Sequence, residues 1–119
     1  MSINFKQAIA VHADALQVRA DRTRVLASNI ANETTPGFKA RDIDFASALA
    51  AQSGSEAGLD GGGSGDTMFR VPYHPSQDGN TVEIGVEQAA FSQNASDFQA
   101  SVTFINLTLK GLAKAINGQ

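Results

Sequence analysis

The sequence predicts a mainly α fold. Two long helices, one at each end, pack as an antiparallel, coiled-coil-like pair, with a small β-hairpin-like connection and a flexible Gly-rich loop between them. Three observations carry this reading. From Phe91 to Ile116 apolar residues recur at alternating spacings of four and three, the 3.5-residue repeat of a helix lying along another helix. A weaker stripe of the same spacing runs from Phe5 to Ile30 and ends just before Pro36-Gly37. Between the two, turn residues and short β-branched runs replace helical periodicity.

The N-terminal helix is expected over residues 1–32. Its stripe is Phe5, Ile9, His12, Leu16, Arg19, Thr23, Leu26 and Ile30, three of them polar, and a second line places Val11, Val18 and Val25 seven apart. Ser2 or Asn4 is suited to cap its start. Its stop is sharper: Asn32-Glu33-Thr34-Thr35-Pro36-Gly37 offers capping residues and then a turn, and Pro36 disfavours helix at Thr35.

Residues 33–51 form a turn and connecting segment, with Phe38 and Phe45 as packing anchors and Asp42 or Asp44 placed to cap a short helix from Phe45 to Ala51. Residues 52–67, rich in Gly, Ser and acid, read as a flexible loop. Residues 68–85 read as a short hairpin, Met68–Pro72 and Thr81–Ile84 flanking the turn residues Gln77-Asp78-Gly79-Asn80. The C-terminal helix follows over 86–117. Its seam is Phe91, Ala95, Phe98, Val102, Ile105, Leu109, Leu112 and Ile116, with Phe104 and Leu107 beside it. Gly111 within it either admits a close neighbour or is a tolerated surface glycine. Together these pieces make one domain across the 119 residues.

Composition removes several functions. Without cysteine there is no disulfide, thiolate metal site or Cys nucleophile. The net charge of −3 gives no basic field for nucleic acid. No apolar run reaches the roughly 20 residues that span a bilayer, and the first residues lack the layout of a cleaved secretory signal. The charge is unevenly spread: positive over 1–32, strongly acidic over 33–86, balanced thereafter.

Candidates for chemistry are weak. The Gly61–Gly65 tract lacks the lysine and following helix of a phosphate loop. Asp42 and Asp44 have no third ligand in view, and neither His12 nor His74 has a partner in a known catalytic or metal spacing. Arg19, Arg22 and Arg24 form a basic cluster broken by Asp21, better suited to ion pairs between subunits than to nucleic acid. Asn32, Asn94 and Asn106 each begin a short acceptor pattern for glycosylation, which carries little weight. No catalytic, cofactor-binding or metal-binding residue is assigned, and no cofactor is implied. A structural subunit fits best; a two-helix adaptor or export-chaperone-like module is the alternative, and a small enzyme lacks a convergent polar pocket.

The turn after the first helix narrows this. Asn29-Ile30-Ala31-Asn32, two further residues, then Thr35-Pro36-Gly37-Phe38 resembles the signature of the bacterial flagellar axial proteins, the rod, hook and hook-associated subunits. Lys39-Ala40-Arg41-Asp42-Ile43-Asp44-Phe45, Arg70-Val71-Pro72, Asp78-Gly79-Asn80-Thr81-Val82-Glu83 and the Phe98–Gly111 stretch resemble its proximal rod members. The resemblance implies a non-enzymatic subunit of the periplasmic rod, part of the basal body that carries torque for motility. It implies export by the flagellar type III apparatus without a cleaved signal. The implied partners are other flagellar rod proteins, the rod–MS ring junction protein and the flagellar export gate, in a helical homo- and hetero-oligomer that is not itself transmembrane.

Overall fold

A computed structural model describes residues 4–53 and 66–118. The element order is α1 (Phe5–Ala31), β1 (Arg41–Ile43), α2 (Phe45–Ser53), β2 (Thr67–Phe69) and α3 (Ile84–Asn117). The chain is a rod in shape, 64 × 29 × 19 Å, with a radius of gyration of 18.1 Å; a compact chain of this length would have about 13.5 Å. Elongation follows from helix length. At 1.5 Å per residue, α1 spans about 40 Å and α3 about 51 Å.

Asn4 caps α1: its side-chain oxygen accepts from the Gln7 amide at 3.3 Å. Asn32 ends it, with its own amide on the Ser28 and Asn29 carbonyls. The two long helices run antiparallel, since His12, Arg19, Thr23 and Asn29 meet Phe104, Asp97, Asn94 and Glu87 in reverse order. Among the described residues the buried apolar core is small: Ala15, Val18, Leu26, Ala40, Ile43 and Ala48.

Three features depart from the sequence reading. First, the short helix expected after Asp44, α2, packs its Ala48 on Val18 and Ile43, so the described residues hold three helices and the long pair is not a free-standing coiled coil. Second, the small antiparallel sheet joins β1 to β2, with Arg41 opposite Phe69, Asp42 opposite Met68 and Ile43 opposite Thr67. Thr81–Ile84 is not one of its strands. The bonding groups there are committed elsewhere: the Thr81 amide goes to the Phe38 carbonyl, the Val82 amide to Asn80 Oδ1, and the Thr81 hydroxyl accepts from the Ala40 amide. Third, α3 begins at Ile84, within the expected second strand. Gly111 has open space where a Cβ would sit, with no other described residue close to it. The glycine tract Gly61–Gly65 lies outside the described residues. Among those described, no helix is long and apolar enough to cross a membrane.

Candidate assembly surface

The turn motif is built around Asn29 and Asn80, two buried amides. Asn29 closes α1 onto two other elements at once. Its Nδ2 donates to the Arg41 carbonyl at 2.6 Å and to Glu87 Oε2 at 3.0 Å, while its Oδ1 accepts from the Arg41 amide at 3.1 Å. It thereby behaves as a strand neighbour to β1 and as a tie to α3. Asn80 reaches from the loop before α3 into the turn, its Nδ2 shared among the carbonyls of Asn32, Glu33 and Thr35 at 2.8–2.9 Å. The Gly37 amide donates to the Asp78 carbonyl at 3.0 Å. The two sequence segments that carry the family resemblance therefore clasp each other across some forty residues of chain.

Within the turn, Asn32 Nδ2 bonds the Ser28 carbonyl and Asn32 Oδ1 accepts from Thr35 Oγ1. Gly37 and Gly79 both sit at positive φ, 75° and 76°, where a side chain strains the backbone. Ile30 and Phe38 are half-buried; Ala31, Thr35 and Pro36 are exposed.

Beside the turn lies a chain of ion pairs. Arg22 forks onto Asp42, Nε to Oδ1 at 2.8 Å and an Nη to Oδ2 at 3.0 Å. Arg70 also donates to Asp42, at 2.7 Å, and its other Nη donates to the fully buried Glu87. Partial burial pushes the Asp42 carboxyl up, but hydrogen bonds from Arg22, Arg70 and the Ile43 amide outweigh it and hold the group below its ordinary value. The hydrogen bond to Asp42 holds the Arg22 guanidinium above its ordinary value. Farther along, Arg19 pairs with Asp97 at 3.2 Å and lies over the Phe45 ring at 4.0 Å. Arg19 and Arg22, expected to pair between subunits, are thus engaged inside the chain. Arg24 is the exception, mostly exposed and, among the described residues, paired with its helix neighbour Asp21.

The interface between α1 and α3 explains the polar members of the α1 stripe. His12 stacks on Phe104, Arg19 meets Asp97, and Thr23 accepts from the buried Asn94, which also donates to the Arg19 carbonyl. On α3 the inward line is Glu87, Asn94, Ser101 and Thr108, seven apart, the first two buried and the others half-buried. The apolar seam flanks this line. Phe98, Val102, Ile105 and Leu112 are half-buried. Phe91, Ala95, Leu109 and Ile116 are exposed, Ile116 at 82%, as are Phe104 and Leu107. Sequence counting missed Glu87 and Asn94 because it sought apolar residues. Their seven-residue spacing, opposite polar positions of α1, was the available signal. Asn94, one of the glycosylation-pattern residues, is enclosed and bonded. Asp44 stands before α2 and accepts from Ser47 Oγ. His74 is an exposed loop residue. No cluster of three or more potential metal ligands exists among the described residues.

Comparison with known proteins bears on what this surface serves. Residues 9–39, most of α1 and the turn, match the family described as Flagella basal body rod protein. The chain is 43% identical over 125 aligned residues to Flagellar basal body rod protein FlgB of Cereibacter sphaeroides, covering 97% of this chain and 98% of that protein. The chain belongs to the flagellar basal body rod protein family. The proteins of the same name from Aeromonas hydrophila and Salmonella typhimurium are 41% and 36% identical, covering 100% and 93% of this chain and 99% and 94% of theirs. The match of this rod-family chain runs through both long helices and both clasped segments, not the turn motif alone.

Proposed function

We propose that the chain is a structural subunit of the proximal flagellar rod, assembling with other rod proteins into a helical homo- and hetero-oligomer that transmits torque for motility. The observation that carries this reading is end-to-end similarity, 43% identity over 97% of this chain and 98% of the relative. The shape supports it. A 64 Å subunit whose longest helix exposes Leu107, Leu109 and Ile116 has an apolar stripe that α1 alone does not cover. In an assembly such a stripe becomes the dry centre of a seam between subunits. The seam from Phe91 to Ile116 is the proposed assembly surface, and Asn29 to Phe38 with its Asn80 clasp sets the angle at which the connecting segment leaves α1. On the same reading, the subunit reaches the periplasm through the flagellar export gate. The junction protein at the MS ring is then a partner alongside the other rod proteins.

The test is deletion of the gene and complementation with an epitope-tagged copy. The expected result is loss of rods and swimming in the deletion, with the tagged protein recovered in purified basal bodies. Rods intact in the deletion, with the tagged protein of the complemented strain held in a finite soluble complex, would overturn the reading in favour of an adaptor.

A further inference from the structure

Six cations among the described residues fall into two sets. Arg19, Arg22 and Arg70 are part-buried and each bonded to a carboxylate. Arg24, Lys39 and Arg41 instead line an open groove of about 560 Å³ beside the turn, together with the apolar Val25, Phe38 and Phe69. Their own partners are slight. Arg24 is 81% exposed and, among the described residues, pairs with Asp21 at 3.3 Å, a surface pair of small worth. Lys39 donates to the Gly79 carbonyl, with the exposed Asp78 as its carboxylate neighbour. Arg41 has no carboxylate partner among the described residues; its guanidinium lies over the Phe69 ring, 4.8 Å from the centroid. Three cations of a chain of net charge −3 thus stand together around one groove with apolar lining. The ring already orients the Arg41 fork, so little freedom is lost when it binds.

We propose that this groove docks an acidic segment of a partner protein chain, in which a carboxylate stands next to an apolar side chain. The carboxylate bonds to Arg41 and Lys39, and the apolar side chain lies against Val25, Phe38 and Phe69. Charge complementarity selects such a segment: Arg41, without a carboxylate partner among the described residues, with Lys39 and Arg24 beside it favours an anion, and the apolar lining favours an apolar neighbour next to that anion.

The test is titration of the ¹⁵N-labelled chain, followed by amide shifts, with the peptide acetyl-Gly-Leu-Asp-Leu-Glu-Gly-amide and its counterpart carrying Asn and Gln for the acids. The acidic peptide should give saturable shifts confined to the groove and should weaken as salt is raised. Arg41→Gln and Lys39→Gln should each weaken it about tenfold, with helicity unchanged by circular dichroism. Lys110→Gln, at the far end of α3, should leave it unchanged. Phe69→Ser should weaken it while leaving the salt dependence in place. Equal binding of the uncharged peptide, equal occupation by inorganic phosphate alone, shifts centred elsewhere, or no saturation at millimolar peptide would each overturn the proposal. Rod formation is not read by this titration, so its outcome is separable from that of the rod assignment.

Discussion

Replacing Asn29 by Ala should cost the fold far more than a typical single substitution. Asn29 is 1% exposed and serves three groups: the Arg41 carbonyl, the Arg41 amide and the Glu87 carboxylate. Truncation leaves all three short of a partner, the Glu87 carboxylate in a fully buried position and the Arg41 groups in a part-buried one. Each unmet group costs on the order of 1–3 kcal/mol. Arg41 can recover part by local shift, so a loss of about 3–5 kcal/mol is expected, a large share of a small domain's total stability. Asn29→Asp gives the sharper result. It keeps the acceptor for the Arg41 amide but sets a carboxylate against Glu87, where the donor now stands 3.0 Å away. Like charges at that distance make one of the two carboxyls bind a proton more tightly in the folded state than in the unfolded one. The folded state then holds more protons, so stability rises as pH falls toward 5 and is lost as pH climbs. The assay is urea unfolding of the purified chain followed by helical circular dichroism between pH 4.5 and 8. A loss below about 0.5 kcal/mol for Asn29→Ala, or no gain on acidification for Asn29→Asp, would refute the reasoning that this amide ties three elements together.

Two further outcomes are expected. Gly37→Val forces a β-branched residue to a φ of 75°, at a cost of about 1–3 kcal/mol. The space at that Cβ is open, so the defect is in backbone angle: synthesis should be normal and rod assembly and swimming reduced in a motility assay. In the native chain, Asp42 is held below its ordinary value of 3.8. Its contribution is therefore full above that pH and is lost as pH falls through the lower folded value. Asp42→Asn should lower the urea midpoint at neutral pH and flatten its fall below pH 4, measured against native protein at matched salt.

The long helices were legible in sequence because each carries enough periodic residues to be read without knowing its partner. The rotation of α3 about its axis was not. Counting apolar residues centres the helix on Phe91, Ala95 and Leu109, all exposed, whereas the face laid on α1 is led by Glu87 and Asn94. A buried carboxylate is visible only when its cation is known, and Arg70 lies in a different segment, after β2. The same holds for Arg22 and Asp42, twenty residues apart. The β1–β2 ladder escaped for another reason. Three residues per strand are too few to show alternation, and the strands are separated by α2 and the acidic glycine stretch. Thr81–Ile84 has the composition of a strand, but Asn80 and Thr81 commit that backbone to the turn motif instead. The motif residues were found by their pattern. What they do, an amide from each side closing the clasp, required the geometry.

The central claim is that the outer part of the α3 seam holds subunits together in the rod. Leu109 tests it best because it is 46% exposed in the chain alone. Aspartate there is solvated in the isolated subunit and disturbs its fold little, but in an assembled seam it would be a buried charge without a partner, costing several kcal/mol per contact. Lys114→Asp, on an exposed position of the same helix, changes charge more without entering the seam. The measurement is recovery of rods in basal bodies purified from strains exporting each variant at equal levels. Rods absent with Leu109→Asp and present with Lys114→Asp is the predicted result. Normal rods with Leu109→Asp would contradict the claim and move the assembly surface to the N-terminal helix.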